Sequence, residues 1–141
     1  MVSVRYTDIY KDVQREFNYP FGDVFVFDNY VVSEFKKDVV VSWKDHAKHM
    51  VEDVINFKGP SARDIIYISN RINAYSVVAL DWMKFFKYQY GLKGYYIVSD
   101  SPISKMNIMI EQIFFKDKIK HFDSIYAAVN WVEKVDNIAA S

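Results

Sequence analysis

The hydrophobic pattern of this chain changes period at Ser42, and that change limits what the chain can fold into. Upstream, Val24-Phe25-Val26-Phe27 and Tyr30-Val31-Val32-Ser33-Glu34-Phe35 are β-rich runs separated only by Asp28-Asn29. Two turn formers between such runs signal a hairpin. Lys36-Lys37-Asp38 breaks the pattern before Val39-Val40-Val41, so this half reads as an antiparallel meander. Downstream, Trp43, Ala47, Met50, Val51, Val54 and Ile55 recur at the spacing of one helical stripe. Ser42 is placed to cap that helix, with Asp45 in the position of the usual capping-box Glu. Gly59-Pro60 ends it.

The strand-then-helix unit recurs. Ile65 to Ser69 reads as a buried strand, and Asn70 to Ser76 leads to a helix with the stripe Val78, Trp82, Phe85 and Phe86, closed by Gly91. Tyr95-Tyr96-Ile97-Val98 is the next strand, followed by a helix opening at Ser101-Pro102 with the stripe Ile103, Met106, Ile110, Ile113 and Phe114. A short strand from Ile119 to Phe122 precedes Asp123 as the cap of a helix burying Ile125, Ala128, Val129 and Val132. Strands separated by single helices imply parallel crossovers. The fold class is therefore α/β: an N-terminal β-meander feeding a mixed sheet with βαβαβα crossovers. Residues 1–20 form an extension whose pattern suits an edge strand or a short helix, 21–135 a single domain, and 136–141 a tail.

Three segments in this order resemble the STAS superfamily in its SpoIIAA-like branch, related in fold to CRAL-TRIO lipid-binding domains. They are Phe21-Gly22-Asp23-Val24-Phe25-Val26-Phe27-Asp28-Asn29-Tyr30, Ile68-Ser69-Asn70-Arg71-Ile72-Asn73-Ala74-Tyr75-Ser76, and Phe122-Asp123-Ser124 with Ala128 and Trp131. The resemblance spans about residues 20–135 and implies a cytosolic regulatory or ligand-binding module that docks to partners or holds small ligands. Anti-sigma antagonists of that superfamily carry a phosphorylatable Ser in an Asp-Ser-Ser-Gly type segment. This chain has no such segment, and Ser76 is the nearest positional substitute.

Parallel strands open a crevice at their carboxyl ends, toward which helix N-termini point free amides. One loop there offers Ser69, Asn70, Arg71, Asn73, Tyr75 and Ser76; the next offers Ser99, Asp100, Ser101, Ser104 and Lys105. If the two strands are neighbours, these side chains gather at one polar site, where Arg71 can hold a carboxylate or phosphate by paired hydrogen bonds. The same residue types also cap helices and stabilise turns, with Arg71 as a local anchor.

Other chemistry finds less support. His46, His49 and Asp53 lie within about 60° of one another on a helix, but this is not the i, i+4 histidine pair of zinc hydrolases, and a solvated helix face accounts for it. No Gly-x-Ser-x-Gly elbow and no Gly-rich phosphate loop occurs. No enzyme activity, cofactor or metal is expected. Lys116, Lys118 and Lys120 alternate as edge-protecting lysines do.

With 18 basic and 18 acidic residues, the chain lacks the basic surplus of a nucleic-acid binder. It has no Cys, no signal-peptide pattern and no apolar run approaching a transmembrane span, and reads as cytoplasmic. The 11 Tyr and 11 Phe exceed what a core stripe needs. Tyr30, Tyr88, Tyr90, Tyr126 and Trp131 fall at stripe edges, where aromatics either rim a core or form an interface. The expected roles are thus a regulatory domain binding a protein partner or a second copy, or alternatively a module for a small amphipathic or anionic ligand held at Arg71.

Overall fold

A computed structural model describes residues 1–59, 65–73, 75–78, 81, 92–100 and 119–140. The expected stripes at 82–86 and 103–114, the cap at Gly91 and the lysines 116 and 118 lie outside these residues. Two 3-10 turns, Val4–Tyr6 and Asp8–Asp12, lead into β1 (Arg15–Tyr19), β2 (Gly22–Val26), β3 (Tyr30–Phe35) and the short β4 (Val40–Val41). Helix α1 (Lys48–Lys58) follows, then β5 (Ile65–Asn70), β6 (Ser76–Val77), β7 (Leu92–Val98), β8 (Ile119–Phe122) and α2 (Ile125–Ala140).

The main sheet has the order β1-β2-β3-β5-β7-β8. β1–β2 and β2–β3 pair antiparallel, while β3, β5, β7 and β8 run parallel to one another. The expected mixed α/β sheet is therefore present, and the predicted hairpin pairs Val26 with Val31. The meander, however, is completed by β1 and not by Val39–Val41. Asp38 adopts a left-handed φ of 66°, a conformation its short polar side chain tolerates, and beyond it Val40–Val41 pairs parallel with Ser76–Val77 in a separate two-stranded sheet.

Ser42 caps the first helix as expected, its Oγ accepting from Asp45 N at 3.1 Å. The opening turn, Trp43–Ala47, is a wide π-type turn in which Ala47 N donates to Ser42 O. Gly59 ends α1 with φ 63° and its amide on Ile55 O. At α2 the cap is Ser124, which accepts from Ala127 N, and not Asp123; a hydroxyl one residue closer to the first turn reaches that amide. The helix runs on to Ala140, so residues 136–140 are helical.

Each face of the sheet has its own core. On one, Phe25, Phe27, Val32, Ile66, Ile68, Tyr96 and Val98 pack against Ile125, Ala128, Val129 and Val132 of α2 and against Val4. On the other, Val24, Val26, Val31, Phe35 and Ile65 meet Val41 and Met50. No helix among the described residues is long and apolar enough to cross a membrane.

Candidate functional site

The six residues of the stripe, Trp43 and Ala47 in the opening turn and Met50, Val51, Val54 and Ile55 on α1, all border the space above the sheet, but they do not close on it. Between them lies a cavity of about 140 Å³, floored by side chains of the sheet such as Val31, Tyr67 and Tyr95 and bounded by Tyr75, Val77 and Asp81. The stripe is rich in small and β-branched residues: Ala47, Val51 and Val54 are only half-buried and reach less far across the gap than Leu or Phe would. A dry cavity of comparable size, about 150 Å³, accepts benzene in another protein.

The described wall is apolar except for Ser42, Tyr67, Tyr75 and Asp81. Strand alternation sends Ser33, Tyr67 and Ser69 to the cavity face. Ser33 Oγ and the Tyr67 hydroxyl share a hydrogen bond at 2.5 Å, and Ser69 Oγ and the Tyr75 hydroxyl share another at 2.5 Å. Arg71 Nε donates to Ser69 Oγ at 3.3 Å, and its guanidinium stands 5.4 Å above the Tyr75 ring. Burial pushes the Tyr67 phenol above its ordinary pKa and the neighbouring Tyr75 adds to this, while the Ser33 and Ser69 hydroxyls and the Arg71 charge pull the other way. Tyr67 therefore stays protonated and remains a donor at neutral pH. Asp81, the one acidic residue on the described wall, accepts from Trp43 N.

β5 and β7 are indeed parallel neighbours, with Asn70 opposite Val98, but the candidate residues divide between the two faces. Asn70 is 1% exposed and turns away from the cavity, its Nδ2 donating to Glu34 Oε2 at 2.8 Å and to Val2 O at 3.2 Å. Asp100 pairs with the Met1 amino group at 3.6 Å. The N-terminal segment thus occupies that side of the strand ends. On the cavity side stand Ser69, Arg71 and Tyr75, while Asn73 Nδ2 donates to Phe35 O. Ser76 is exposed, its amide donating to Val39 O, and Ser99 N donates to Phe122 O. Ser101, Ser104 and Lys105 lie outside the described residues.

Three contributors escaped the sequence reading. Tyr67 and Ser33 were legible in principle, since Ile65, Tyr67 and Ser69 alternate on one side of β5. Glu34 signals itself differently: every residue of β3 is buried, so an acid in that run must be paired. Ser3 Oγ and Val4 N, at 2.5 and 2.8 Å, join Asn70 as its donors.

The suggested His46, His49 and Asp53 group does not assemble. His46 Nδ1 accepts from Ser42 N and its ring meets Phe21 edge-on; Asp53 accepts from the Tyr19 hydroxyl. Among the described residues no cluster of His, Asp and Glu could hold a metal. Compared with known proteins, the chain matches no family model, no curated protein and no solved structure.

Proposed function

We propose that this protein is a non-enzymatic module that binds a small, largely apolar molecule between α1 and the sheet. The observation that carries this reading is the cavity of about 140 Å³ behind an otherwise regular amphipathic helix. Burying a complete stripe against a sheet normally closes such a gap, since interiors pack to the density of organic crystals. A space left open, with hydroxyls at one end, suits an occupant. A STAS-like regulatory role remains compatible with it, the ligand then being the signal that the domain reports.

Docking of a protein at the strand ends is less favoured. Asn70 is buried there, Asn73 is bonded to the backbone of Phe35, and Asp100 is engaged with the N-terminus. These side chains offer little to an incoming surface.

The test is a thermal-shift series with benzene and toluene on the wild-type chain and on Val54→Phe, which fills the cavity. Binding should raise the melting temperature of the wild type in a dose-dependent way and leave the filled variant unmoved. An equal response of both proteins, or none in either, overturns the proposal.

A further inference from the structure

One part of the cavity wall is held more lightly than the rest. We propose that the short ribbon formed by β4 and β6 is the gate of the cavity, and that a ligand enters and leaves as these two strands part. This rests on the reading of the cavity as a binding site and concerns how its occupancy is controlled.

The ribbon is built from very few residues. Val40–Val41 and Ser76–Val77 run parallel, in a sheet separate from the six-stranded one. Ser76 N donates to Val39 O at 3.1 Å and Val78 N to Val41 O at 2.9 Å. A two-stranded pairing is at best marginally stable alone, and parallel pairing is slightly weaker per residue than antiparallel. The other described walls belong to larger units. Val31, Tyr67 and Tyr95 sit on adjacent strands of the main sheet, and Met50, Val51 and Val54 on a helix of 11 residues.

Alternation along the two strands makes the ribbon a wall one side chain thick. Val41 and Val77 are register partners, and both line the cavity. Val40 and Ser76, the other register pair, face away: Val40 is 57% exposed, and Ser76 is exposed as well. Parting the strands here therefore joins the cavity to solvent.

The two sides of the ribbon are anchored differently. Ahead of β6, Tyr75 is fixed by its hydroxyl on Ser69 and by its ring against Phe35 at 5.0 Å. Ahead of β4, Lys36, Lys37 and Asp38 are exposed, and Asp38 holds its left-handed φ. Rotation at that turn swings β4 away from β6 while β3 stays in the sheet. Opening uncovers Val41, which is 5% exposed when the ribbon is paired, so closed is the resting state. An apolar occupant touching Val41 and Val77 favours it further.

A reversible lock tests the gate. The chain contains no Cys, and neighbouring strands lie within disulfide reach of one another, so Val40→Cys with Ser76→Cys places one bridge across the outward pair. Toluene is the probe, its rates read from exchange between free and bound signals in NMR spectra. The bridged form should bind and release toluene at least about tenfold more slowly than the same protein after reduction, with Kd within about twofold, because a gate raises the barrier in both directions. Hydrogen exchange on the wild type gives a second measurement, which stands whether or not the bridge forms. The amides of Ser76 and Val78 should exchange at least about tenfold faster than that of Ile68 on β5, and saturating toluene should slow them. Equal toluene rates in the bridged and reduced forms, a bridge that raises only the off-rate, or ribbon amides protected as well as Ile68 overturn the gate and leave the apolar site standing. Failure of toluene to bind the wild type or the reduced form overturns both.

Discussion

The two faces of the sheet use the same strands, but among the described residues only one of them leaves a cavity under its helix. On the α2 face, Phe25, Val32, Ile68, Val98, Ala128 and Val132 are at or below 1% exposure, and the polar groups at its margin are joined through Glu34. On the α1 face, the opposing helix presents Ala47, Val51, Val54 and Ile55 only half-buried around an open cavity. Both helices are amphipathic, so amphipathicity alone does not determine closure. Side-chain size on the helices does not account for the difference, since Ile125, Ala128, Val129 and Val132 of α2 are no larger than the residues of the α1 stripe. It lies in the gap left between α1 and the sheet, beside the hydrogen-bonded pairs Ser33–Tyr67 and Ser69–Tyr75. A face built for stability removes its voids, and the other keeps one.

The sharpest way to break this comparison is to cut into each face in turn. Phe25→Ala should cost about 4 kcal/mol, because it removes a fully buried ring from a region that cannot collapse around the loss. Guanidinium unfolding should show it as a lower midpoint with an unchanged slope. Met50→Ala on the cavity face should cost about 2 kcal/mol, at the low end for such truncations, since its neighbours already border empty space. Equal losses would mean that the faces do not differ in packing.

Glu34 gives the next largest effect. Its carboxylate accepts from Ser3, Val4 and Asn70 in a buried setting, so Glu34→Ala strands several donors at once and should destabilise by about 3 kcal/mol. Hydrogen exchange should show the loss first at Val4 N and in the turns Val4–Tyr6 and Asp8–Asp12. Ligand binding on the opposite face should change little, because Ser33 and Tyr67 point the other way from the same two strands.

Filling the void reverses the sign. Val54→Phe should raise stability by about 1 kcal/mol, as cavity-filling substitutions commonly do, while abolishing ligand binding. A variant that loses stability would show that the gap closes in solution.

The same contrast explains what the sequence could convey. The α1 stripe was readable because six apolar positions at helical spacing admit one orientation, and the hairpin because Asp28-Asn29 leaves room only for a tight reversal. Val39–Val41 was misread, since a β-branched triplet looks the same whether it extends a meander or crosses to pair elsewhere; the left-handed Asp38 decides that, and it is a property of a single dihedral. For the site, Arg71 and Tyr75 were visible as loop residues. Their division from Asn70 was not, because it follows from strand parity at Ser69 and Asn70. The cavity itself is a distance between two surfaces, and composition does not reveal it, since the equally small residues Ala128, Val129 and Val132 of α2 close on the sheet.

The smallest expected effect concerns how the N-terminal segment is tied to the edge of the sheet. Glu16 on β1 accepts from Arg5 at 2.6 Å, the Tyr10 hydroxyl at 2.6 Å and Asn18 Nδ2 at 2.7 Å. Desolvation works to raise its pKa, but those hydrogen bonds and the Arg5 charge outweigh it and hold the carboxyl below the usual range. A carboxylate depressed on folding contributes stability above its unfolded pKa of about 4.3, and that contribution is lost as the pH falls through the lower folded value. Because the pair is partly solvated, the contribution should be about 0.5 kcal/mol. Glu16→Gln should therefore lower the urea midpoint slightly at about pH 6 and match the wild type at about pH 3. The wild type's extra acid sensitivity should also shrink in high salt, which screens exposed pairs. Loss of the pair should loosen the first turns of the chain without altering the cavity, since Glu16 and Arg5 lie outside its wall. A shift in ligand affinity on Glu16→Gln would instead couple the two faces through β1 and remove the independence that the comparison asserts.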